Sequence, residues 1–168
     1  MNKNIIILGT MTIGLAACVP SLPVPEESIN VTRASGFQTA GILANQDVVV
    51  HTYLKGEGTQ EEVAAQCQLA GRGYTAEFPT PMTVVIPSYG QTSPAINITC
   101  TLGDDTSSTT LSAFNISRAE RDEALRRTGS SQGLIGVVMA EAFSAATSKD
   151  KEGDNWGYPD QARIYFTK

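Results

Sequence analysis

The chain has 168 residues, 41% of them hydrophobic, with 12 Lys and Arg against 17 Asp and Glu and a formal net charge of −5. That length suits one domain with a core of its own. The acidic balance argues against a nucleic-acid-binding surface, and against direct electrostatic attachment to anionic lipid.

The N-terminus carries an address. Lys3 supplies a positive charge, Ile5 to Gly14 is an apolar stretch interrupted by Thr10 and Thr12, and the small residues Ala16 and Ala17 precede Cys18. This is the layout of a secretory signal. The apolar run is too short to cross a bilayer, which needs roughly 20 residues. Leu15-Ala16-Ala17-Cys18 resembles the lipobox of bacterial lipoproteins. The resemblance implies cleavage before Cys18, a thioether-linked diacylglycerol and an N-acyl chain on Cys18, and a membrane partner held through that anchor. Two or more chains anchor stably where one is marginal. Val19, in place of Asp, is similar to the default outer-membrane sorting signal of Gram-negative lipoproteins. An ordinary cleaved signal containing a cysteine and a buried N-terminal helix are the alternatives.

The domain plan is therefore a signal over residues 1–17, a lipidated cysteine and proline-rich tether over 18–30, and one β-rich envelope domain over 31–168. Pro20, Pro23 and Pro25 keep the tether out of helix and sheet interiors. An extended tether of this kind reaches roughly 37 Å at about 3.1 Å per residue.

With Cys18 lipidated, Cys67 and Cys100 remain as an even pair in an oxidising compartment. Val63, Ala65, Cys67 and Leu69 alternate with other residues, and so do Ile96, Ile98, Cys100 and Leu102. Alternation puts each cysteine on the apolar face of its strand, where a bridge between neighbouring strands or facing sheets is feasible. Closing that loop stabilises by roughly 3.7 kcal/mol on the chain-entropy account. Two free buried thiols are the alternative. A metal site is not expected, because two cysteines and the distant His51 lack zinc-ligand spacing.

The elements follow in order. Gln46 to Leu54 reads as a strand ended by Gly56 and Gly58. Residues 63–69 read as a strand, with a helix start at Glu61-Glu62 after Thr59 as the alternative. Tyr74, Ala76 and Phe78 alternate before Pro79 and Pro81, Met82 to Ile86 is stopped by Pro87, and Gly103-Asp104-Asp105 turns the chain after a strand over Ile96 to Leu102. Thr109 to Ile116 reads as a further strand. Ser117 with Glu120 is a capping-box candidate opening a helix over Arg118 to Arg127, with Gly129 as its stop. Gly133 to Thr147 is apolar and rich in small residues, Trp156-Gly157-Tyr158-Pro159 is an aromatic turn, and Ala162, Ile164 and Phe166 alternate in a last strand. The fold class expected is mainly β (α+β): a small antiparallel β-sandwich or meander with a disulfide, plus one or two C-terminal helical segments.

The central segment carries a second resemblance. Cys67-Gln68-Leu69, Gly73-Tyr74, Phe78, Thr80-Pro81, Val84, Ile86-Pro87 and Ile98-Thr99-Cys100 are similar to the pattern of PEGA-like domains and of uncharacterised alphaproteobacterial lipoproteins. It covers about 40 of 168 residues. It implies a small envelope β unit and transfers no catalytic residue.

Chemistry is sparse. No nucleophile elbow, zinc-protease helix or phosphate loop occurs. His51, the single histidine, reads as a surface or edge residue of its strand, and Asp104 with Asp105 as a solvated turn. Asn30, Asn97 and Asn115 match the glycosylation acceptor pattern, but in a bacterial lipoprotein they read as strand-edge polar residues. The best ligand candidate joins Arg126 and Arg127 to Ser130 and Ser131 ahead of an expected helix N-terminus, a combination that favours anions. No cofactor is expected. The reading is a non-catalytic, lipid-anchored outer-membrane protein with a structural or binding role and an envelope protein or glycan as partner. The alternatives are an oligomerising component of an envelope assembly, associating through residues 133–146, and an envelope hydrolase or hydrolase inhibitor.

Overall fold

A computed structural model describes residues 21–35, 37, 39–130 and 149–167. The signal, Cys18, Ser131 and residues 133–146 lie outside the described residues, as do the side chains of Arg126 and Ser130.

The structure is mainly β, with a disulfide and three sheets among the described residues. The first contains β1 (Ser28–Asn30), β7 (Met82–Ser88), β3 (Ala44–Lys55) and β12 (Gln161–Thr167) in that order. A fifth strand, β4 (Gln60–Glu62), pairs with the far end of β3. The second sheet runs β2 (Thr32–Arg33), β6 (Tyr74–Pro79), β5 (Gln66–Gly71), β8 (Ile96–Leu102) and β9 (Asp105–Leu111). A third, of two strands, joins β10 (Phe114–Asn115) to β11 (Trp156–Gly157) beside helix α1 (Ile116–Ser130).

Strict alternation builds the core. Val48, Val50 and Thr52 of β3, Ala162, Ile164 and Phe166 of β12, and Val84 and Ile86 of β7 are buried on one side of the first sheet. Cys67 and Leu69, Tyr74, Ala76 and Phe78, and Ile96, Ile98 and Cys100 do the same for the second, and the apolar residues of both sheets form a single hydrophobic cluster. Cys67 and Cys100 are directly opposite in the β5–β8 register, with Cα atoms 4.0 Å apart, so the bridge joins neighbouring strands.

The sheets are joined along both sides. Ser28–Asn30 pairs in parallel with β7, and after Val31 the same run of chain pairs antiparallel with β6. One short stretch therefore belongs to both sheets, and the segment expected as free tether ends earlier than residue 30. On the opposite side, the Ser107 hydroxyl of β9 donates to the Tyr165 carbonyl of β12 at 2.8 Å.

Several expectations are corrected. β7 continues through Pro87 to Ser88. The Ser88 carbonyl accepts from Leu43 on the β3 side, so Pro87 turns its nitrogen to the other edge, beyond the last residue paired with β1. The strand expected over 63–69 is split, and Glu61-Glu62 starts no helix. Residues 63–65 cross between sheets, and Thr52 and Thr80 satisfy the crossing. The Thr52 hydroxyl bonds the Val63 carbonyl, while the Thr80 hydroxyl accepts from Ala65 N at 3.0 Å. The strand expected over 109–116 is split: β9 ends at Leu111, Phe114–Asn115 pairs with β11 instead, and Asn115 then caps α1 with its Oδ1 accepting from Arg118 N at 2.8 Å. Ser117 is not the cap, and α1 continues through Gly129 to Ser130. The β8–β9 turn is as expected: Gly103 at φ +61 with Asp104 at negative φ is the hairpin geometry that needs glycine first.

Candidate functional site

The outward side of β3 carries Val49, His51 and Tyr53, between the buried Val48, Val50 and Thr52. The registers place Arg163 beside His51, and both Tyr165 and Glu62 beside Tyr53. His51 Nδ1 lies 2.6 Å from Glu62 Oε1, with the side chains 13% and 3% exposed. Glu62 Oε2 accepts from Leu22 N at 2.8 Å, so a carboxylate nearly removed from water has both oxygens engaged. Tyr53 stacks between His51, at 6.2 Å, and Tyr165, at 5.6 Å. Burial raises the Tyr53 phenol pKa, and the nearby Glu62 charge raises it further. His51 is thus no edge residue: it sits on a strand paired on both sides and is largely covered. A carboxylate orienting an imidazole is half of an acid–base site. Among the described residues, Glu62 is the side chain that hydrogen-bonds His51, and no nucleophilic hydroxyl or thiol does.

A second feature lies at the other end of β3. A pocket of about 550 Å³ is lined by Phe37, Ala40, Arg72, Gly73, Tyr89, Thr92 and Pro94. Phe37 meets Tyr74 edge-on at 6.0 Å, and the Arg33 guanidinium lies 5.8 Å from the Phe37 ring centre. Next to the lining, Tyr158 is fully buried and its hydroxyl donates to Pro94 O at 2.7 Å. The Tyr74 hydroxyl is buried close to that of Tyr158, without an aligned hydrogen bond among the described residues. Burial pushes both phenols' pKa values up. Tyr74 lies across Gly71, where an added Cβ would fall 2.2 Å from the ring. Aromatic walls with an exposed guanidinium at the rim suit a small ligand with an apolar body and a negative group. The residues missed by sequence reading here are Tyr74 and Tyr158. Their aromatic character was visible, but their convergence depends on pairing across 84 residues.

Of the candidate anion site, residues 126–130 lie in α1, Arg127 is the member whose side chain is described, and the expected helix N-terminus lies outside the described residues. Arg127 bonds Glu123 Oε1 through NH2 at 2.9 Å and Nε at 3.1 Å. Asp104 and Asp105 are both exposed at the hairpin. Asn30 lies in β1 and Asn97 in β8, where its Oδ1 accepts from Thr110 at 2.8 Å, while Asn115 caps a helix.

Asn115 also opens the best-connected polar cluster. Its Nδ2 donates to Asp150 at 2.9 Å and to Asp154 at 2.7 Å. Asp154 receives Arg121 through NH1 at 2.7 Å and NH2 at 3.0 Å, plus Lys151 N at 2.8 Å. These donors hold the Asp154 carboxyl well below the usual carboxylate range, Arg121 contributing most. The cluster fastens the chain after residue 149 to α1. Among the described residues no group of three or more His, Cys, Asp or Glu is arranged to hold a metal, and no helix is long and apolar enough to cross a membrane.

No protein family, curated protein or solved structure matches this chain.

Proposed function

We propose that this chain is a lipid-anchored bacterial envelope protein, sorted to the outer membrane, whose β domain has a non-catalytic binding or structural role. The observation that carries the reading is the disulfide. Cys67 and Cys100 are joined, so two of three cysteines are used and Cys18, directly after Leu15-Ala16-Ala17, is the one left for a thioether. A disulfide between core strands also fits export to an oxidising compartment. The two five-stranded sheets act as a sandwich around one core, in keeping with the resemblance to PEGA-like envelope domains. The pocket by Arg72 and Phe37 supports a binding role, since its described lining offers an aromatic wall and a cation. The partner is an envelope protein or glycan, with the lipid anchor supplying the membrane contact.

Cells expressing wild type and Cys18→Ser, fed a fatty-acid analogue, test the reading. Wild type incorporates label, and the variant accumulates as unlabelled precursor. Equal incorporation into both sinks the proposal.

A further inference from the structure

If Cys18 carries the anchor, the structure limits where the bilayer can lie. Leu22 is bonded to Glu62 on the outward face of the first sheet. Leu22 is four positions after Cys18, and a fully extended chain spans about 14 Å over those four steps. Whatever path those residues take, Leu22 cannot be further than that from the acylated cysteine, and the Glu62 carboxylate lies one 2.8 Å hydrogen bond beyond it. The tether is short because the chain docks at Leu22, several residues before the strand at Ser28.

That end of the domain has the side chains a lipid interface accepts. Tyr165 is 41% exposed and Val24 is 38% exposed, two of the four large hydrophobic residues most open to solvent among those described. Tyr53, stacked on Tyr165, adds a second ring with an apolar body and a polar tip, the type that settles at headgroup depth. Exposed Glu26 and Glu27 in the docked segment, with the net charge of −5, disfavour an anionic surface, so neutral headgroups are the matching chemistry.

The pocket is at the opposite end. Gln46 touches Tyr158 and lies against Gly157, next to Trp156. Gln46 is seven residues along β3 from Tyr53, about 24 Å at strand rise. We infer that the Tyr53–Tyr165 end of the first sheet rests on the zwitterionic headgroup layer, and that the pocket by Arg72 and the single tryptophan, Trp156, point away from it. The inference rests on the lipidation of Cys18.

Trp156 makes the orientation measurable. Full-length protein purified with its acyl groups, checked by mass, is placed in phosphatidylcholine vesicles with brominated acyl chains, which quench tryptophan near the bilayer. Wild type reports on Trp156. Tyr165→Trp and Val24→Trp, each in a Trp156→Phe background with an unchanged melt, report on the proposed membrane side; either one suffices if the other does not fold. The reporters should be quenched several-fold more strongly than Trp156. Acylated, vesicle-bound protein in which Trp156 is quenched as strongly as the reporters overturns the orientation and leaves the anchor reading standing. Protein with no acyl mass that does not float with vesicles fails the anchor reading, and the orientation falls with it.

Discussion

Arg121 and Asp154 face each other across 33 positions of sequence as a two-pronged ion pair, NH1 to Oδ1 at 2.7 Å and NH2 to Oδ2 at 3.0 Å, with the Asp154 side chain 5% exposed. The pair fastens the chain that leads into β11 and β12 to α1, the only α-helix among the described residues. Its carboxylate titrates below the usual range, chiefly through Arg121 and then Asn115.

A depressed folded pKa means that Asp154 contributes stability above its unfolded value, near 3.8, and loses it as pH falls toward the folded value. Asp154→Asn removes the charge at every pH. The gap in melting temperature between wild type and Asp154→Asn should be constant at neutral pH and narrow below about pH 4. A gap that widens on acidification would assign the group the wrong sign.

Asn115 gives a sharper test, because it caps α1 with Oδ1 and serves Asp150 and Asp154 with Nδ2. Asn115→Ala loses the cap, typically about 1 kcal/mol. Asn115→Asp keeps a good cap but sets a third carboxylate against two others. At pH 7 the Asp variant should melt below the Ala variant, and the order should reverse in acid. An Asp variant as stable as wild type at pH 7 would show that the Nδ2 bonds do not form.

Gln46 completes a strand-like pairing by side chain. Its Oε1 accepts from Tyr158 N at 2.8 Å and its Nε2 donates to Tyr158 O. Because Tyr158 is fully buried, Gln46→Ala orphans a backbone donor and acceptor and should cost on the order of 2 kcal/mol in urea titration. A change within a few tenths would mean that water replaces the amide.

Cys67→Ala should lower stability by about 2–5 kcal/mol and leave Cys100 reactive. In wild type denatured without reductant, a thiol mass tag should add to neither Cys67 nor Cys100. Two tags on those positions would show the bridge absent.

The strands that alternate cleanly were legible in the sequence. Val48, Val50 and Thr52, Tyr74 to Phe78, Ile96 to Cys100, and Ala162 to Phe166 each bury every second residue, and period two is a local signal. The sheet-switching stretch at Ser28–Arg33 was not legible, because it is short and polar and only Ile29 and Val31 pack on the core. Asn115 ended a strand-like run early, since its capping partner is a backbone N–H that no side-chain pattern marks. The His51–Glu62 pair was hidden for a similar reason. Gly56 and Gly58 advertised a turn, but the register that brings Glu62 beside Tyr53 is set by pairing. The pocket was wholly non-local, assembled from a loop, a hairpin tip and the turn at Gly90–Thr92.

The stretch from Ser28 to Arg33 has a mechanical consequence. It is hydrogen-bonded in parallel to β7 on one sheet and antiparallel to β6 on the other. A pull on the leading segment acts along these strands, across bonds that lie perpendicular to the load. The bonds are strained together in shear, rather than opened one after another as in a peeled hairpin. Tension entering at Leu22 therefore reaches both sheets through one seam, and the domain resists it as a unit until that seam slips.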